Sequence, residues 1–87
     1  MQYDMKMVGK IGEWLRAKNP TSQIAFNYEE GNFIIKPDGE LYEIEIPYLK
    51  AERIMQSNGA EDRKMDELFE YAKEEADDNA YEEDGYS

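Results

Sequence analysis

Val8, Ile11 and Leu15 recur at three- and four-residue spacing with Met7 and Trp14 beside them, the stripe of an amphipathic helix. Asp4 stands where a capping carboxylate would accept from the first free backbone N–H groups. Asn19-Pro20 closes the segment, because the residue before a proline is pushed out of the helical region. From Gln23 the period changes to two. Ile24, Phe26 and Tyr28 fall on one side and Gln23, Ala25 and Asn27 on the other, which predicts a half-buried strand. Glu29-Glu30-Gly31-Asn32 reads as a turn, Phe33-Ile34-Ile35-Lys36 as a strand apolar on both sides, and Pro37-Asp38-Gly39 as a second tight turn. Tyr42, Ile44 and Ile46 then alternate with Glu43 and Glu45 until Pro47 ends a third strand.

Leu49, Arg53, Ile54 and Met55 suit a short helix between Tyr48 and Ser57, and Asn58-Gly59 breaks the chain. Met65, Leu68, Phe69, Ala72 and Ala76 predict a longer amphipathic helix from Glu61 to about Asp78. The fold class is therefore α+β: an N-terminal helix, a three-stranded antiparallel β-meander, then one short and one long C-terminal helix. In such a meander the second strand is central, which accounts for Ile34 and Ile35 both being apolar. The third is an edge, where Glu43 and Glu45 discourage pairing with another sheet. We expect a single domain over residues 1–80 and an acidic tail over 81–87.

Charge changes this picture at one end only. Of 87 residues, 21 are Asp or Glu and 10 are Lys or Arg, giving −11 overall. Residues 1–60 hold 9 acids and 7 bases, whereas residues 61–87 hold 12 acids and 3 bases. Glu67, Glu70, Glu74, Asp77 and Asp78 fall at helical spacing on the side away from much of the apolar stripe. Like charges so placed repel, and acids near a helix C-terminus oppose the macrodipole, so the run works against local preference. Two readings follow. Either the end of the helix frays into a solvated acidic tail that keeps the chain soluble, or the acids stand in for nucleic-acid phosphates and dock into a basic groove. The second reading takes Glu67, Glu70, Glu74, Glu75, Asp77 and Asp78 as the charged face, with Glu43 and Glu45 as candidates to extend it. Tyr71, Tyr81 and Tyr86 interleave with the acids, and Tyr81 is taken as a contact because tyrosine joins rigid apolar area to a polar tip. Tyr71 has core burial as its alternative.

Other chemistry is narrowed by what the chain lacks. It has no Cys and no His, which removes disulfides, Cys- and His-based metal sites, thiol nucleophiles and Ser-His pairings. An enzyme is not expected, nor is a cofactor. No glycine completes an EF-hand loop, since placing Gly85 at its sixth position puts Ala80 at the first. Gly9 and Gly12 lie within the first helix and form no phosphate loop; close packing is their expected role. Trp14 is expected in the core or at its rim. Met1 to Leu15 carries Asp4, Lys6, Lys10 and Glu13 and reads as neither a membrane span nor a signal segment, so a cytoplasmic location is expected.

The order helix, three strands, helix resembles the double-stranded RNA-binding domain, but that fold holds phosphates with basic residues where this chain has Glu61, Asp62, Asp66 and Glu67. Direct nucleic-acid binding is not expected. Small size, acidity, absence of Cys and His, the Ile24–Ile46 meander and the Glu61–Asp84 acidic run together resemble the small phage-encoded inhibitors of the anti-CRISPR kind. Uracil-DNA glycosylase inhibitors and anti-restriction proteins are similar in strategy. The resemblance is of organisation, without a signature motif. It implies a non-enzymatic DNA mimic that blocks the cationic nucleic-acid surface of a CRISPR-Cas effector or another host-defence nuclease, acting in the host cytoplasm. The alternatives are an antitoxin or immunity protein that neutralises a basic toxin, and a small structural adaptor.

Overall fold

The computed structural model describes residues 3–57 and 59–85, with side chains described as far as Asp78. Its elements in chain order are α1 (Met5–Lys18), β1 (Gln23–Asn27), β2 (Asn32–Lys36), β3 (Ile44–Pro47), α2 (Tyr48–Gln56) and α3 (Glu61–Gly85). This is the expected α+β order. The sheet runs β1-β2-β3 with antiparallel pairs, so β2 is central.

Local chemistry explains the joins. The Asp4 side chain accepts from the Lys6 backbone N–H and caps α1. Gly31 turns β1 into β2 with φ +72, and Gly39 turns β2 towards β3 with φ +81, conformations that a Cβ would strain. The Gly31 carbonyl also accepts from the Tyr48 N–H at 2.9 Å, which ties the first turn to the start of α2. Tyr3 lies directly over Gly31, with its hydroxyl 2.5 Å from where a Cβ would stand.

The register places Ile24, Phe26, Phe33, Ile35, Ile44 and Ile46 on one sheet face. All three helices cover that face. Ile11 and Leu15 from α1, Tyr48 and Ala51 from α2, and Met65, Phe69 and Ala72 from α3 join Phe33, Ile35, Ile44 and Ile46 in one buried cluster. Among the described residues no charged residue is buried with it. At roughly 1.5–3 kcal/mol for each large apolar side chain removed from water, this cluster is the main favourable term in folding.

The structure corrects several sequence expectations. Among the described residues only one face of the sheet is covered, so Ile34, expected to be apolar because its strand is central, lies half-buried on the open face between Ala25 and Glu45. β3 begins at Ile44; Tyr42 and Glu43 precede it, although Tyr42 still packs on the core. Asn32 belongs to β2 instead of the turn. In α2 the buried positions are Tyr48 and Ala51, while Leu49 faces solvent. The long helix continues past Asp78 to Gly85, so residues 81–85 of the expected tail extend its backbone, and Tyr86 and Ser87 lie outside the described residues. No helix among the described residues is long and apolar enough to cross a membrane.

Candidate functional site

α3 has two chemically different sides, and its buried stripe fixes which is which. Met65, Phe69 and Ala72 are buried and Ala76 packs against the same cluster. At about 100° per residue, Glu67, Glu70, Glu74, Asp77 and Asp78 occupy a sector roughly 100° wide on the opposite side of the helix. All five are exposed. The helix rises about 1.5 Å per residue, so these carboxylates span about 17 Å at roughly one per 4 Å. That density compares with about 3.4 Å of axis per phosphate along one duplex strand.

Two acids on the α1 side of α3 have partners on α1. Trp14 Nε1 donates to Asp62 Oδ1 at 2.9 Å, and Lys18 forms an ion pair with Asp66. The Lys18 ammonium also sits 5.9 Å from the Trp14 ring centroid. Trp14 is thus a half-buried rim residue that fastens α1 to α3 through its indole N–H. By contrast, none of Glu67, Glu70, Glu74, Asp77 and Asp78 takes part in an ion pair among the described residues. Nor do three acids among the described residues converge closely enough to hold a metal ion.

The remaining predicted residues are distributed unevenly around this row. Glu75 is exposed but lies on a flank, roughly 110° around the helix from the middle of the row. Tyr71 is 61% exposed and borders the row, so the core alternative for it is set aside. Tyr81 lies on α3, with its side chain outside the described residues. Glu45 stands across from Ile34 on the open face of the sheet, where it accepts from Asn32 Nδ2 at 3.2 Å. Since α3 packs on the other face, Glu45 and the α3 row sit on opposite sides of the molecule and form no continuous surface. Glu43 pairs with Lys36 at 3.7 Å, so part of its charge is met within the fold.

Two features of the β2–β3 connection went unread in the sequence. Leu41, in the β2–β3 connection, is 97% exposed. Its neighbour Tyr42 has a phenol pKa raised above 10.0, first by burial and then by the charges of Glu40 and Asp77. Tyr42 packs on the core cluster that α3 joins, so the connection runs on the α3 side of the sheet. Glycine and proline announced the turn, but nothing in the local pattern showed which helix it would approach.

Compared with protein-family models, curated proteins and solved structures, the chain has no significant match.

Proposed function

We propose that the protein is a non-catalytic inhibitor whose α3 carboxylate row occupies a basic nucleic-acid-binding surface on another protein, with a CRISPR-Cas effector or comparable host-defence nuclease as the partner class. The observation that carries this reading is the division of charge along α3. Acids facing α1 have partners within the fold, whereas five acids on the outer side have no ion-pair partner among the described residues. A fold that needed these groups only for its own stability would not set like charges three and four residues apart. A surface presented to an external array of Lys and Arg would, because the Coulomb attraction that draws phosphates into a cationic channel acts equally on carboxylates.

The reading assigns contact to Glu67, Glu70, Glu74, Asp77 and Asp78, with Tyr71 supplying apolar area at the border. Glu75 contributes from the flank. Glu43 and Glu45 fall outside this surface. No cofactor or bond-making step is assigned.

The test is capture from a lysate of the natural host on immobilised protein, with and without competing duplex DNA, repeated with the triple variant Glu67→Lys, Glu70→Lys, Glu74→Lys. The expected result is one retained nucleic-acid-binding protein that DNA displaces and the triple variant fails to hold. Equal retention by the triple variant would remove the basis for this reading.

A further inference from the structure

A second recognition surface lies away from α3, where α1 overhangs the free edge of β1. The two sheet edges differ in kind. β3 carries Glu45, is preceded by Glu43 and ends in Pro47, which are devices that deter another strand. β1 has the sequence Gln-Ile-Ala-Phe-Asn, with no charge, no proline and, among the described residues, no neighbouring strand on its outer side. Its inward residues Ile24 and Phe26 are only half-buried, whereas the corresponding positions of β2 and β3 are fully buried. The apolar face of the sheet is therefore left partly open at this edge.

Beside it runs a groove of about 100 Å³, lined from α1 by Val8, Gly9, Gly12 and Arg16 and from the sheet chiefly by Ile24 and Phe26. That volume equals about three waters at the liquid's ~30 Å³ each, which is room for one Val or Leu side chain. The glycines keep it clear. A Cβ on Gly9 would meet nothing within 4 Å, and one on Gly12 would meet only the Arg16 guanidinium, at 3.8 Å. The expected role in close packing is not realised at Gly9, which is exposed, whereas Gly12 is buried beneath the Arg16 guanidinium. Arg16 is exposed and makes no ion pair among the described residues. Lys18 is paired with Asp66 and Lys10 lies beside Glu61 and Asp62 on another side of α1, so Arg16 is the charged residue that lines the groove.

We infer that the β1 edge and this groove bind an extended peptide segment as a fourth strand, with one aliphatic side chain seated in the groove and an adjacent Asp or Glu paired to Arg16. Backbone N–H and C=O groups supply the pairing, the groove selects side-chain size, and Arg16 selects charge. The occupant is an acidic, extended segment of another protein.

The test pans a phage-displayed random heptapeptide library on the full-length chain, on Gly12→Leu and on Arg16→Glu, with circular-dichroism melts showing that each variant folds. The wild type is expected to enrich alternating apolar peptides that carry Asp or Glu. Gly12→Leu, which fills the groove, is expected to lose them. Arg16→Glu is expected to move the preference to Lys or Arg by about tenfold, the order for exchanging an attractive contact with a repulsive one. Absence of enrichment, the same peptides on Gly12→Leu, or an unchanged charge preference on Arg16→Glu would each overturn the assignment. A concentration-dependent dimer abolished by Ala25→Lys in sedimentation would also overturn it, by giving the edge to a second copy of the chain.

Discussion

Replacing Glu74 with Gln separates the electrostatics of α3 from its packing. Glu74 is exposed and has Glu70 four residues before it, Asp77 three after and Asp78 four after, all exposed. It makes no ion pair among the described residues, so the substitution breaks no favourable contact of that kind. Gln and Glu have nearly the same helix propensity, which leaves the charge as the variable. Each like-charge pair at this spacing costs roughly 0.2–0.5 kcal/mol, so removing three relieves about 0.6–1.5 kcal/mol at low salt. A domain of this size shifts by about 4–8 °C per kcal/mol, which predicts a rise in Tm of about 2–12 °C. The assay is far-ultraviolet circular dichroism during heating, at low ionic strength and again in about 1 M salt. There the Debye length of about 3 Å is shorter than the charge separation, and the gain should collapse. A lower Tm for Glu74→Gln, or a gain that survives undiminished in high salt, would refute the claim that these carboxylates work against their own helix.

Two further outcomes test the core. The Tyr48 hydroxyl donates to Glu52 Oε2 at 2.5 Å and accepts from the Asp4 backbone N–H at 3.3 Å, while its ring is buried. Tyr48→Phe leaves a carboxylate without its donor and is expected to cost about 1–3 kcal/mol, read as a lower denaturation midpoint with an unchanged slope. The phenol pKa values of Tyr48 and Tyr42 are both raised, each chiefly by burial, with the hydrogen bond to Glu52 adding for Tyr48 and the charge of Glu40 for Tyr42. A raised folded value means that the folded state holds the proton more tightly. This contribution is complete below the unfolded value near 10 and is lost as pH rises through the folded values. Denaturant unfolding followed from pH 8 to 11 should therefore show falling stability at the alkaline end, with a flatter profile for the Tyr42→Phe, Tyr48→Phe double variant.

The elements were legible because each carries its own period: Val8, Ile11 and Leu15 at 3.6, Ile24 and Phe26 at two, and Met65, Phe69 and Ala72 again at 3.6. The side of α3 holding Glu67, Glu70, Glu74, Asp77 and Asp78 followed from that arithmetic alone, since a helix fixes the angle between positions once one face is buried. What local pattern does not encode is the relation between layers. Alternation marks Glu45 as exposed without saying whether it points to the same side of the molecule as α3. The Trp14–Asp62 bond joins residues 48 positions apart, and no spacing rule reaches that far. Ile34 misled for a similar reason: an apolar residue on a central strand reads as doubly covered, yet all three helices chose one face. Leu49 misled because α2 turns Tyr48 and Ala51 inward and leaves Leu49 on the exposed side, a helix phase that its own composition does not fix.

The absence of buried charge from the core has a further consequence. Scaffold and outer surface draw on separate residues: the buried apolar cluster on one side of α3 includes none of the five outer acids. The outer surface could therefore be recoded, even to the opposite sign, while the same backbone endures, so descendants of this chain could change allegiance without relearning how to fold.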